Sequence, residues 1–325
     1  MLLQILLITI GLGALLGGGD LLVRGASALA KSLGVSTLVI GLTVVAFGTS
    51  APELSINLLA ALKGNTDISF GNIIGSNISN IGLIIGCAAV ISPLAVEGKI
   101  ITRELPMMFL AALAALVMGS DAALRQYPSS YDRVDGIVYL LFFSVFIYYT
   151  TSEVLFRRKD DPFVSQAIKE HPTINFKSVI LNVLLITAGL ALLIFGGKLT
   201  VDNSVRFAEA IGISKAVIGL TIIAVGTSLP ELVTSIMATV KGETDLAIGN
   251  VVGSNIFNIL FVLGASSVVR PIAVPEGGQK DLIMMVILSA LLLPLSVTQK
   301  NKIVRSEGIV LLIMYFGYTA FRVLI

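Results

Sequence analysis

The sequence predicts an all-α polytopic membrane protein, with ten transmembrane helices arranged as two inverted five-helix repeats. Three observations predict it. Hydrophobic residues make up 55% of the 325 and charged residues only 13%, with a mean hydropathy of +0.95. A soluble domain carries about 25% charged residues, so this chain has too few to solvate its surface. Apolar runs recur at about the 20-residue length that a membrane helix needs. Finally, the stretch Gly41 to Gly86 is written again at Gly219 to Gly264, 178 residues later and without a gap. GLTVVAFGTSAPEL becomes GLTIIAVGTSLPEL, and GNIIGSNISNIGLIIG becomes GNVVGSNIFNILFVLG. The apolar positions drift among Val, Ile and Leu while polar, Gly and Pro positions repeat, which is the mark of a site built twice.

The elements follow in order. The first apolar run is about Leu2 to Ala30. No basic residue precedes it, which argues against a signal peptide; Arg24 and Lys31 follow it instead. Asp20 and Arg24 are one helical turn apart and are expected to pair. Further runs lie at about Ser36–Leu62, Ile68–Val90, Glu104–Met118 and Val134–Phe156. The segment 157–177, RRKDDPFVSQAIKEHPTINFK, is too charged to cross a bilayer. A second set covers about Ser178–Ala210, Ser214–Val240, Leu246–Val268, Leu282–Val297 and Ile303–Leu324. The expected units are therefore 1–156, a linker 157–177, and 178–325.

The repeat extends beyond its centre. Leu33–Thr43 matches Ile211–Thr221, SPLAV at Ser92 matches RPIAV at Arg270, and DGIVYLL at Asp135 resembles EGIVLLI at Glu307. Five spans per half and a linker that does not cross require the second half to enter from the opposite side. Inverted repeats are characteristic of secondary transporters, with the site near the midplane where the repeats meet.

Loop charges favour a cytoplasmic linker and extracytoplasmic termini in a cell membrane, inner or plasma. That orientation puts Arg24, Lys31, Lys99, Arg103, Arg157, Arg158, Lys159, Lys169, Lys177, Lys241, Lys300, Lys302 and Arg305 inside, thirteen of the 22 Lys and Arg, as the positive-inside rule requires. With no Trp in the chain, Tyr127, Tyr131, Tyr148 and Tyr149 are expected to mark the interfaces. The single cysteine, Cys87, excludes an internal disulfide. A formal net charge of +2 suggests no nucleic acid, and no obligate protein partner is evident.

Glu53 and Glu231 lie within apolar spans, where a carboxylate is costly and by default functional. The only Lys or Arg in either span is Lys215, at the opposite end of the seventh span from Glu231, so each carboxyl is expected to be protonated or partnered by a bound cation. Around them stand Gly48, Thr49, Ser50 and Pro52, and Gly226, Thr227, Ser228 and Pro230. Pro inside a helix breaks or kinks it, the glycines are expected to add flexibility, and the carbonyls of Ala46 and Ala224 are expected to become free oxygen ligands. Thr49 and Glu53 share a face if the segment stays near-helical. In the paired element, Ser76 and Asn80 are four apart, as are Ser254 and Asn258, so hydroxyl and amide oxygen can face one site. Asn72, Asn77, Asn250 and Asn255 add polar groups, while Gly71, Gly75, Gly249 and Gly253 read as close helix packing. The result is an all-oxygen set with two negative charges and no His or Cys. Hard cations take such ligands, Ca2+ preferring six to eight oxygens, whereas softer metals want imidazole or thiolate. Two carboxylates balance one Ca2+ or two Na+.

The doubled GTSxPE and GSNIxN motifs resemble the α-repeats of the cation/Ca2+ antiporter superfamily, in particular the prokaryotic Na+/Ca2+ exchangers, and the resemblance spans the whole chain. It implies alternating access, with Na+ and Ca2+ competing for overlapping sites between the second, third, seventh and eighth helices and no cofactor beyond those transported ions. Carried over by position, Glu53 and Glu231 would be acidic ligands shared by both ions. Thr49, Ser50, Ser76, Thr227, Ser228 and Ser254, with the Ala46 and Ala224 carbonyls, would complete the sodium sites, and the Gly-rich first and sixth helices would form a mobile gate. Some family members, K+-dependent exchangers among them, carry Asp where this chain has Asn258; its Asn speaks for K+ independence.

Two other readings use the same residues. A Ca2+/H+ antiporter would replace sodium by protons on Glu53 and Glu231, but the extra neutral oxygens serve sodium and are not needed by protons. An intramembrane enzyme would need an HExxH-like cluster, and the only histidine, His171, is in the linker. Asp67 and Asp245, in KGNTD and KGETD, read as turns in which Thr or Asp caps the next helix, with an acidic vestibule as the functional alternative.

Overall fold

The computed structural model describes residues 1–124, 126–156, 176–212 and 224–324. Most of the linker expected at 157–177, with His171, and the first half of the seventh span lie outside them. Apart from one four-residue helix at Asp121–Leu124, and with each broken helix counted once, ten helices follow one another among the described residues. They are α1 (Leu2–Leu33), a broken α2 (Thr37–Thr49, then Ala51–Lys63), α3 (Thr66–Ile91), α4 (Ile100–Met118) and α5 (Arg133–Phe156). The second half supplies α6 (Phe176–Ala210), α7 (Ala224–Gly226, then Leu229–Val240), α8 (Thr244–Val269), α9 (Gly278–Asn301) and α10 (Arg305–Leu324). Seven are long and apolar enough to cross a membrane alone, and α2, bent by 45°, makes an eighth. α4 begins four residues before the expected Glu104. Its first turn accommodates charge because Arg103 pairs with Glu104 and stacks 4.5 Å from the Tyr149 ring centre.

Two short antiparallel pairs show how the halves are related. β1 (Leu94–Ala95), after α3, pairs with β4 (Lys302–Ile303), before α10. β2 (Ser130–Tyr131), before α5, pairs with β3 (Ile272–Ala273), after α8. Leu94 and Ile272 are equivalent by the 178-residue repeat, so each pair is the two-fold image of the other. The α3–α4 connection therefore lies on the same face as α9–α10, and α4–α5 on the same face as α8–α9. That alternation requires the second half to be inverted relative to the first.

α3 and α8 form the centre, with 83% and 94% of their apolar windows buried, against 22% for α1 and 28% for α6. α1 and α6 run along each other through glycines. A Cβ on Gly18 would lie 2.8 Å from the Gly189 carbonyl oxygen, and one on Gly196 2.7 Å from that of Gly11. This is the small-residue contact by which helices associate in lipid, where the hydrophobic effect gives no drive. Gly249 and Gly253 do the same for α8, since their Cβ atoms would meet the Leu38 and Leu42 carbonyls at 2.9 and 2.7 Å. Gly71 and Gly75 are exposed; residues 216 and 220, which the repeat would set against them, fall outside the described residues.

Two expectations change. Tyr131 is wholly buried, not interfacial: its hydroxyl donates to the Ala115 carbonyl at 2.7 Å and its ring stacks on Phe70. Burial pushes that phenol above the usual range. Tyr127 and Tyr148 are exposed as expected. Neither Asp67 nor Asp245 caps a helix. The N-cap positions are Asn65 and Glu243, without side-chain cap bonds, and each follows a left-handed glycine, Gly64 (φ +81°) or Gly242 (φ +77°). The two aspartates sit in the first turn, where the helix dipole favours negative charge.

Candidate functional site

The site forms where α2 and α7 break against α3 and α8. Pro52 has no N–H to bond the carbonyl of Gly48, so the helix opens at Ser50 (φ −86°, ψ 6°) and restarts, with Leu54 N donating to Ser50 O at 3.1 Å. Ser228 adopts the same conformation (φ −87°, ψ 7°), and Leu232 N donates to its carbonyl at 2.9 Å. Glu53 and Glu231 thus fall in the first turns of new helices, where the positive end of the helix dipole offsets part of a carboxylate's burial cost. The carbonyls behave differently from expectation. Ala46 O accepts the Ser50 N–H at 3.0 Å, so the break does not free it, whereas Ser228 N bonds Val225 O at 3.2 Å rather than Ala224. Gly48 and Gly226 serve close approach rather than flexibility, since their Cβ atoms would meet Leu190 at 2.6 Å and Val201 at 2.5 Å, both on α6.

Both glutamates are 1% exposed. The Ser50 hydroxyl donates to Glu231 Oε1 at 3.0 Å, which joins the first repeat to the second. Among the described residues no Lys or Arg pairs with either carboxylate. Glu53 Oε2, Glu231 Oε2, Ser76 Oγ, Ser228 Oγ, Ser254 Oγ, Asn80 Oδ1 and Asn258 Oδ1 are all buried without a hydrogen-bond partner. Native interiors leave few such atoms, and each calls for an explanation. These seven oxygens belong to α2, α3, α7 and α8, and two of them are carboxylate oxygens; they are the donor type that hard cations take, with no nitrogen or sulfur among them.

The two threonines are already engaged. Thr49 Oγ1 donates to Asn250 Oδ1 at 3.1 Å, and Asn72 Nδ2 donates to Thr227 Oγ1 at 3.3 Å. Behind them stand residues that the sequence reading passed over. Asn57 Nδ2 donates to the Glu53 carbonyl and to Asn72 Oδ1, both at 2.7 Å, and Asn250 Nδ2 donates to Ser235 Oγ at 3.0 Å. A signal was available: positions 57 and 235 are polar in both repeats and lie one turn after the glutamates. On α3 and α8, Asn80 Nδ2 donates to Asn255 Oδ1 at 3.1 Å, and Asn77 Nδ2 to the Ile73 carbonyl at 2.7 Å.

The two sides of the site differ. A cavity of about 540 Å³ lies between the second half of α2, α6 and the break in α7, lined by Pro52, Ser55, Lys198, Asp202, Thr227 and Pro230 among others. It is on the side towards which α2 and α6 run. On the opposite side α1 packs on α7: a Cβ on Gly19 would lie 3.0 Å from Val233 Cγ1, and Asp20 bridges Lys241 at 2.5 Å and Arg24 at 2.9 Å.

Residues 3–152 and 181–324 match the family model described as sodium/calcium exchanger protein. The chain is 39% identical to the putative antiporter CaxA of Alkalimonas amylolytica over 98% of each chain. It is 33% identical to the sodium/calcium exchanger MaX1 of Methanosarcina acetivorans over 96% of each. Its fold superimposes on a solved structure of the sodium-calcium exchanger NCX_Mj with a TM-score of 0.84, at 32% identity over 98% of both chains. With the doubled motif and the inverted halves already in place, the chain belongs to the sodium/calcium exchanger protein family.

Proposed function

We propose that this protein is a secondary active antiporter that exchanges Na+ for Ca2+ across the membrane by alternating access, without requiring K+. The seven buried oxygens without partners carry this reading. Two buried carboxyls with no basic partner are tolerable when a proton or a cation neutralises them, and the neutral hydroxyl and amide oxygens around them favour the cation, completing a shell for Ca2+ or for sodium. In this reading Glu53 and Glu231 bind both ions. Ser50, Ser76, Ser228 and Ser254, with Thr49 and Thr227, Asn80 and Asn258, supply further contacts, as do the carbonyls of Ala224 and of Ala46, the latter through the lone pair left by its bond from Ser50 N–H. Pro52 and Pro230, with Gly48 and Gly226, create and accommodate the breaks. The reaction is transport, with no catalytic residue, and the ions are cargo rather than cofactors.

The units are two five-helix halves, 1–156 and 178–325, joined by a cytoplasmic linker at 157–177, with both termini on the far side of the cell membrane. The 540 Å³ cavity then faces outward, and the α1–α7 contact with Asp20–Lys241 closes the cytoplasmic side. Sliding of α1 and α6 along their glycine seam would exchange the two.

The test is Ca2+ uptake into proteoliposomes loaded with Na+, against K+-loaded controls at matched pH. Uptake driven by the sodium gradient alone is expected. Uptake that needs a pH gradient and ignores sodium would transfer the same site to Ca2+/H+ exchange.

A further inference from the structure

Of the eight polar pairs described above, seven are the same residue in both halves: Thr49/227, Ser50/228, Glu53/231, Asn72/250, Ser76/254, Asn77/255 and Asn80/258. The eighth is Asn57 in the first and Ser235 in the second. That one difference reverses the polarity of the hydrogen bonds that reach the threonines. The Asn57 amide is oriented by the Glu53 carbonyl, which can only accept, so Nδ2 faces that carbonyl and also donates to Asn72 Oδ1. With its oxygen taken, Asn72 turns Nδ2 to Thr227 and places an N–H on that hydroxyl. In the other half Ser235 Oγ accepts instead, and Asn250 spends Nδ2 on it, with a longer contact to the Glu231 carbonyl at 3.5 Å. Asn250 Oδ1 is left for Thr49, which donates to it. The other group near the Thr49 hydroxyl, the Ala46 carbonyl at 3.4 Å, is an acceptor too.

We propose that positions 57 and 235 are positioning residues that set sodium specificity by making the two repeat-related threonines unequal ligands. Thr49 gives away its proton and keeps both lone pairs for a cation. Thr227 has one lone pair claimed and an amide's positive end beside it, so it is the weaker sodium ligand. The inequality is imposed through Asn72 and Asn250 by a residue one turn after each glutamate. This rests on the sodium-coupled reading above.

The test exchanges the two residues singly and together, each variant carrying a side chain that its repeat partner already accommodates. For purified wild type, Asn57→Ser, Ser235→Asn and the double exchange, Ca2+ half-saturation and maximal rate are measured in proteoliposomes, with Na+ half-saturation from its competition with Ca2+. Asn57→Ser lets Asn72 turn its oxygen to Thr227, and the Na+ requirement is expected to fall about three- to tenfold, with Ca2+ half-saturation moving less than twofold. Ser235→Asn turns an N–H onto Thr49 and is expected to raise the Na+ requirement by a similar factor, and the double exchange to return it towards wild type. Equal shifts for both ions, no shift, or shifts in the same direction for both single variants would overturn the proposal. If one variant fails to fold, the other single exchange decides alone. Wild type that shows no competition by Na+ fails the sodium-coupled reading itself, a result distinct from competing wild type with unresponsive variants.

Discussion

Glu53 and Glu231 define the residue scale. Each is buried with one carboxylate oxygen unpartnered, and an uncompensated buried charge costs several kcal/mol. Glu53→Gln or Glu231→Gln removes that charge at nearly constant shape. Either variant is expected to abolish Ca2+ exchange while remaining folded, and to melt at a higher temperature than wild type in ion-free detergent solution. Ca2+ at about 100 times its dissociation constant should stabilise wild type by about 2.7 kcal/mol, and this gain should vanish in both variants; thermal unfolding with and without Ca2+ measures it. The glutamates were legible in the sequence because charge in an apolar run stands out. Asn57 and Ser235 stood out less, because the repeat keeps only their polarity and not the residue, and their role shows only in the hydrogen bonds to Asn72 and Asn250. Tyr131 misled for a related reason: a tyrosine near a span end fits an interface as well as a buried donor, and only the Ala115 carbonyl at 2.7 Å decides.

At the scale of elements, the glycine seam between α1 and α6 separates packing from mere flexibility. A Cβ on Gly18 would lie 2.8 Å from two α6 backbone atoms, whereas one on neighbouring Gly17 meets nothing within 4 Å. Gly18→Ala is therefore expected to push the helices apart at a cost of about 1–3 kcal/mol and to slow exchange. Gly17→Ala should be neutral or stabilising by up to about 1 kcal/mol, since Gly is a poor helix former. Equal thermal shifts for the two variants would contradict the seam. Hydropathy located nearly every element, but α4 begins at Ile100 because an Arg103–Glu104 pair and the Tyr149 ring let charged residues enter the helix. Proline position foretold the breaks in α2 and α7. It did not foretell that Gly48 and Gly226 face Leu190 and Val201 of α6, a contact between distant parts of the chain that no local pattern encodes.

For the whole molecule, the repeat at a fixed offset makes the two-fold architecture legible in the sequence, and the β1–β4 and β2–β3 pairs are its structural counterpart. What the repeat could not convey is where the symmetry fails. Two copies of one motif read alike, yet Ser50 bonds Glu231 while Ser228 Oγ has no partner, and α1 closes on α7 while a cavity separates the end of α2 from α6. Conformation is a choice between near-equivalent packings, and a sequence that must support both does not announce which is occupied. The central claim is that both halves jointly hold one divalent cation through Glu53 and Glu231. Calorimetric titration of Ca2+ into the purified protein in Na+-free buffer tests it most directly. One Ca2+ per chain is expected, displaced by Na+ and lost in both Glu53→Gln and Glu231→Gln; wild-type Ca2+ binding that persists in either variant would contradict it.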